Sequence, residues 1–203
     1  MKYRSLKEAT AIPILDISQA QAGDAIMCHS KGLVGQSIRF GQSLHYPKEY
    51  SVWNHICWLD HRNDAGEWIV GQAVAHGVQI GALLTTIAPG GNYEIVSMDA
   101  FPTRTGEPIR RDIALAALRA QEGRYYGWPT IASVSVTLLS PIQSINVMLP
   151  NTWICSAVYG FGLVAGGVKL DPPDVYQVLP AEIAELSDPS LRVTSGTVKG
   201  IVH

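Results

Sequence analysis

Val52-Trp53-Asn54-His55-Ile56-Cys57-Trp58-Leu59 is the stretch on which the fold turns. Aromatic and β-branched residues dominate it, which fits a buried, pleated strand better than a helix. A polar loop follows, Asp60-His61-Arg62-Asn63-Asp64-Ala65-Gly66-Glu67, and then a second apolar run from Trp68 to about Val74. Such a loop between two such runs predicts an antiparallel pair. His55 is the residue out of keeping with its neighbours. A polar ring inside an apolar strand must meet a buried acceptor or face a cleft, so it is as readily a satisfied core residue as a working base. If the two strands pair across the loop, Gln72 falls roughly beside His55, and its carboxamide oxygen can accept from the imidazole. Glu67 is the competing partner, but its loop position predicts a solvent-facing carboxylate.

Toward the N-terminus, Gly23-Asp24 is a turn signal opening the short strand Ala25-Ile26-Met27-Cys28, and Leu33 to Phe40 has helical spacing that Pro47 ends. Downstream, Gly77 to Ile80 is extended, and Pro89-Gly90-Gly91-Asn92 turns into the strand Tyr93 to Met98. The period changes after Pro108. Ile109, Ile113, Ala116, Ala117 and Ala120 recur every three to four residues, predicting an amphipathic helix that Gly123 closes. Ile131 to Leu139 suits a strand or a packed helix equally. Residues 1–11 read as an N-terminal arm, Val175 to Pro180 as a last extended piece, and 187–203 as a polar tail beyond a single domain spanning 1–186.

A second chemically loaded stretch is Asn151-Thr152-Trp153-Ile154-Cys155-Ser156-Ala157-Val158-Tyr159. Pro150 bars helix upstream, and Asn151 or Thr152 can cap a helix running to about Gly166, with Cys155 in its first turn. There the unpaired N–H groups and the positive end of the helix dipole favour thiolate over thiol, and can receive an oxyanion. Without a base, a thiol among Ile, Ala and Val is an ordinary small core residue. Gly160 and Gly162 inside the helix are read as permitting close approach to the sheet.

Composition excludes several classes. A chain of 203 residues suits one compact domain, and a net charge of −2 without a basic block argues against nucleic acid. The charged N-terminus lacks the apolar run of a signal peptide, and no apolar stretch is long enough to span a bilayer. Three cysteines without Cys-x-x-Cys spacing argue against a disulfide framework and for a reducing compartment. The expectation is a soluble protein, cytoplasmic or released without a signal peptide, with no cofactor and no metal. A zinc site from Cys57, His55 and His61 is the rival, since residues two apart on a strand share a face, but a fourth ligand is missing.

The order of features resembles the circularly permuted branch of the NlpC/P60 superfamily, papain-like thiol hydrolases (YiiX/LRAT-like) in which the histidine strand precedes the nucleophile. The matching pieces are Gly23-Asp24, Ser37-Ile38-Arg39, Trp53-Asn54-His55-Ile56, Gln72-Ala73 with Gly77-Val78, and Tyr93-Glu94-Ile95-Val96. Gly123-Arg124-Tyr125-Tyr126, Cys155-Ser156 and Pro173-Asp174 complete the series, which covers roughly Ile14 to Leu179. The resemblance implies an α+β, circularly permuted papain-like fold, an antiparallel sheet packed against helices including the one that bears the nucleophile. It implies Cys155 as nucleophile, His55 as base and Gln72 as orienter, acting on an amide or ester bond of a peptide, a cell-wall peptide or another acyl substrate. Two positions depart from the family: a neutral Gln72 replaces the commoner acid, and Gly127 stands where an Asp is frequent. Trp53, Asn54, His76 and Trp128 are candidates for lining the substrate cleft. The alternatives are a non-catalytic binding or structural module on the same fold, with an inert thiol, and a lipid acyl hydrolase or acyltransferase.

Overall fold

In the computed structural model, which describes residues 17–30, 32–83, 92–127, 152–170, 175, 178–188 and 192–197, the histidine strand is β2, His55–Arg62, an interior strand of a sheet. Its neighbours are β1 (Ala25–His29) and β3 (Trp68–Val74), followed outward by β4 (Gly77–Ala82) on one side and β5 (Asn92–Val96) on the other. With β8 (Arg192–Thr197) at the far edge, the described strands run β4-β3-β2-β1-β5-β8, every pair antiparallel. The polar hairpin is shorter than its sequence predicts. β2 continues to Arg62 and the turn is confined to Asn63–Glu67, where the Asn63 side chain accepts from the N–H groups of Ala65 and Glu67.

Alternation along the strands divides the core in two. Ala25, Met27, Ile56, Trp58, Ala73, Val78 and Val96 face the helices, while Ile26, Cys28, Cys57, Leu59, Val70, Tyr93 and Ile95 pack on the other face with Ile17 and Ala20. The helices are α1 (Leu33–Ser43), α2 (Lys48–Ser51), α3 (Arg111–Arg119), α4 (Cys155–Ala165) and α5 (Pro180–Leu186). Two more short strands, β6 (Tyr125–Tyr126) and β7 (Thr152–Trp153), pair in parallel just ahead of α4. The fold is therefore α+β, with an antiparallel sheet and α4 packed against β2 and α3.

Three expectations change. The face of α3 that is buried runs through Ala114 and Leu118, whereas Ala116 and Ala120 are exposed, because the helix packs chiefly on α4. The glycines of α4 face other partners than the sheet, Gly162 the helix α3 and Gly160 the segment that follows α4. A Cβ on Gly162 would lie 2.5 Å from Leu118, and one on Gly160 would press on Leu170 and Val175. Finally, the segment read as a polar tail from residue 187 supplies β8, and Pro180 begins a helix. Pro is well suited to a first helical turn, and Glu182 accepts from the Leu179 N–H at 2.6 Å. Residues 1–11, the turn at 89–91 and the stretch 131–139 lie outside the described residues.

Buried polar side chains tie the elements together. Arg111 reaches from α3 to Asp24, Asp99, Ser97 and the Ala22 carbonyl, and Asp24 also accepts from the N–H groups of Gln21 and Met98. Gln42 on α1 donates to the Trp53 carbonyl at 2.7 Å and accepts from the Ala181 N–H at 3.0 Å, fixing the start of α5 against the approach to β2. The Tyr159 hydroxyl donates to the Gly23 carbonyl at 2.8 Å, so α4 is anchored to the turn that begins the sheet.

Candidate active site

His55 is the first residue of β2 and Cys155 the first residue of α4, so the two meet where the strand begins. The register explains how a helix-borne sulfur reaches the sheet. Leu59 donates its N–H to Asp24 beside β1, so by alternation the N–H of Ile56 points toward β3. The β2–β3 ladder, however, stops at Cys57 opposite Gln72. The N–H of Ile56 lies beyond the last pair of that ladder, and its dipole helps to stabilise negative charge on the Cys155 sulfur. The same sulfur is coupled to the His55 imidazole, each favouring the charged form of the other.

Gln72 lies opposite Cys57, not opposite His55 as expected, and its long side chain crosses the diagonal. His55 Nε2 donates to Gln72 Oε1 at 3.1 Å. That bond fixes the tautomer, leaving Nδ1 as the nitrogen for the sulfur. Cys155, His55 and Gln72 are thus brought together between the head of α4 and β3, His55 bonded to Gln72 and coupled to Cys155 along one line. Cys155 is 5% exposed, whereas His55 keeps more of its surface open to solvent.

Electrostatics favour an ion pair along this line. Burial works against ionising Cys155, but the facing imidazole and the Ile56 N–H outweigh it and hold the thiol below its usual value. Burial would likewise lower His55, yet the sulfurs of Cys57 and Cys155 raise it well above the ordinary histidine range. Two thiols therefore compete for one imidazolium. A hydrogen bond with Cys28 draws Cys57 toward the thiolate, against burial and with help from His55. One imidazolium cannot neutralise two buried thiolates, so one sulfur keeps its proton. We assign that proton to Cys57, whose Sγ lies 3.7 Å from Gln72 Oε1, an oxygen to which a thiol donates and which a thiolate would repel. Cys28 is pushed up by its bond to Cys57 and by burial.

The N-terminus of α4 departs from expectation. Ile154, not Asn151 or Thr152, is the N-cap, and no side chain caps the first turn. β7 draws Thr152–Trp153 into pairing with β6 and shifts the helix start to Cys155. The first-turn N–H groups are consequently not spent on a side-chain cap, which suits them to an oxyanion. The pairing also brings up Tyr126, whose phenol is held protonated by burial and by the nearby charge of Cys155. The sequence marked Tyr126 only as part of an aromatic loop; its adjacency depends on β6 pairing with β7.

The remaining candidates separate. Asn54 does not line a cleft with its amide: Oδ1 accepts from Ser30 N and Oγ at 2.9 and 3.1 Å, and Nδ2 donates to the Ser30 carbonyl at 2.9 Å. It fixes the residue before His55 to the end of β1. Trp53 is buried in the helix-side core, with its indole N–H unpartnered. His76 is exposed in the β3–β4 turn, and Val78 just beyond it donates to the Arg124 carbonyl next to β6. Trp128 lies outside the described residues. His61 turns from His55 to Asp60, at 2.7 Å, and among the described residues no group of three or more His, Cys, Asp or Glu is arranged to hold a metal ion. A surface cavity of about 460 Å³ opens at the other end of β2, lined by Asp60, His61, Ile80, Arg119 and Glu122. No helix among the described residues is long and apolar enough to cross a membrane. No model of a known protein family matches the chain, and a search of curated proteins finds no match.

Proposed function

We propose that this chain is a thiol hydrolase that works by acyl transfer on an amide or ester bond, with Cys155 as nucleophile, His55 as base and Gln72 as orienter. The observation that carries the reading is the hydrogen bond from His55 Nε2 to the neutral Gln72 acceptor, with the Cys155 thiol coupled to the same imidazole. His55 Nδ1 takes the sulfur's proton and the thiolate adds to the substrate carbonyl carbon. The oxyanion is received at the Cys155 N–H. The imidazolium returns the proton to the departing amine or alcohol as the carbon–heteroatom bond breaks. Water, deprotonated by His55, then attacks the thioester and frees the acid and the thiol. The greater exposure of His55 makes its side the approach for the carbonyl.

A circularly permuted papain-like arrangement is part of this proposal. It is supported by the chain order, in which the histidine strand precedes the helix bearing the nucleophile, and by the antiparallel sheet on which that helix packs. Peptides, including cell-wall peptides, are the first substrate class to screen, with lipid acyl esters second. The test is alkylation of Cys155 by iodoacetamide at neutral pH beside hydrolysis of an activated acyl ester. The wild type is expected to alkylate at least tenfold faster than free cysteine, with His55→Ala removing the advantage and Cys155→Ala abolishing hydrolysis while both variants remain folded. A slow thiol that is indifferent to His55 would make this an inert cysteine and overturn the proposal.

A further inference from the structure

Gln72 has a weakness as an orienting group: its amide presents a carbonyl on one side and an NH₂ on the other, and only the carbonyl can accept from His55. A half-turn of the amide would set N–H against N–H. Something must therefore select the orientation, and the described structure contains a suitable side chain. Cys57 stands opposite Gln72 in the ladder, and its Sγ lies 3.7 Å from the same Oε1 that His55 engages. Cys57 is 1% exposed and its sulfur is backed by Cys28 Sγ at 3.8 Å, so it has little room to turn away. Cys28 in turn directs its thiol toward the Ile26 carbonyl at 3.4 Å.

We propose that Cys57 is a positioning residue of the candidate site: its thiol donates to Gln72 Oε1 and so holds the carboxamide oxygen toward His55. This rests on the hydrolase reading above and deepens it. Cys57 touches neither substrate nor nucleophile in this role. It acts through Gln72, and through Gln72 on how well imidazolium is tolerated next to Cys155. The neutral Gln creates the requirement, since a carboxylate offers two equivalent oxygens and needs no such selection.

The experiment reads the pH dependence of Cys155 alkylation by iodoacetamide, peptide by peptide, in the full chain. Cys57→Ala is expected to lower the neutral-pH rate about three- to tenfold and to move the half-point upward, because a weak thiol donor is lost from a coupled pair of hydrogen bonds. Cys57→Ser, which keeps an O–H donor, is expected to recover most of that loss. In a Gln72→Glu background, Cys57→Ala is expected to change the profile by less than twofold. Wild-type Cys155 that fails to alkylate faster than free cysteine would sink the hydrolase reading itself. A fast wild type whose profile Cys57→Ala leaves unmoved would overturn only the positioning role. Equal shifts in the Gln and Glu backgrounds, or a serine variant no better than alanine, would also overturn it, by tracing the effect to packing.

Discussion

Replacing Gln72 by alanine isolates the least conventional member of the proposed triad. Its Oε1 accepts from His55 Nε2 at 3.1 Å, and imidazolium gains most from that bond because both ring nitrogens then carry protons. A hydrogen bond to a charged group contributes about 1.5–3 kcal/mol net. Gln72 is half-buried, so water can enter the vacated space and recover part of this, which points to the lower end, about 1.5–2 kcal/mol. At about 1.4 kcal/mol per factor of ten, the thiolate–imidazolium pair should weaken about 10- to 30-fold. The measurement is the rate of iodoacetamide attack on Cys155 across pH, read by mass spectrometry of its peptide, with thermal unfolding as the check on folding. The half-point should move up by about 1 to 1.5 pH units. A folded Gln72→Ala protein with the wild-type profile would show that the contact at 3.1 Å does not orient the ring.

The pH profile of hydrolysis should be bell-shaped. Cys155 is held below its ordinary 9.0, so the acid limb, where the thiolate is protonated, should lie below that value; His55 is raised above 6.5, so the alkaline limb should lie above it. A single rise centred near pH 9.0 would contradict the ion pair. Gly71→Ala should destabilise by about 2–4 kcal/mol in urea unfolding, because the added Cβ would sit 1.9 Å from the ring of the fully buried Trp58 and force its N–H away from Asp60. Wild-type stability would mean that the ring has somewhere to move. Arg119→Ala strips the bonds at 2.9 and 3.1 Å from Asp60, a carboxylate that is 2% exposed; since Arg119 is itself half exposed, the loss should be about 2 kcal/mol. Burial raises Asp60 but Arg119 and His61 override it and hold it below 3.8, so the Arg119 contribution should be full at neutral pH and fade only as pH falls through that depressed value. An unfolding difference that disappears near pH 6 would assign it to another group.

What the sequence determined by itself was local. The aromatic and β-branched makeup of Val52–Leu59, the apolar run Trp68–Val74, the polar loop between them and the proline that bars helix before Cys155 are properties of neighbouring residues; they were enough to pair β2 with β3 and to mark His55, Gln72 and Cys155 as candidates. The helix face of α3 and the fate of residues beyond 187 were not readable in this way. Alanine suits a helix whether or not it is buried, and an edge strand such as β8 is decided by the strand it joins. Only the tertiary structure ended the β2–β3 ladder at Cys57, set His55 beside a sulfur a hundred residues away, and placed Cys57 against Gln72. Those contacts join elements far apart in the chain, where hydrogen bonding is settled by strand register and not by the identity of any neighbouring residue.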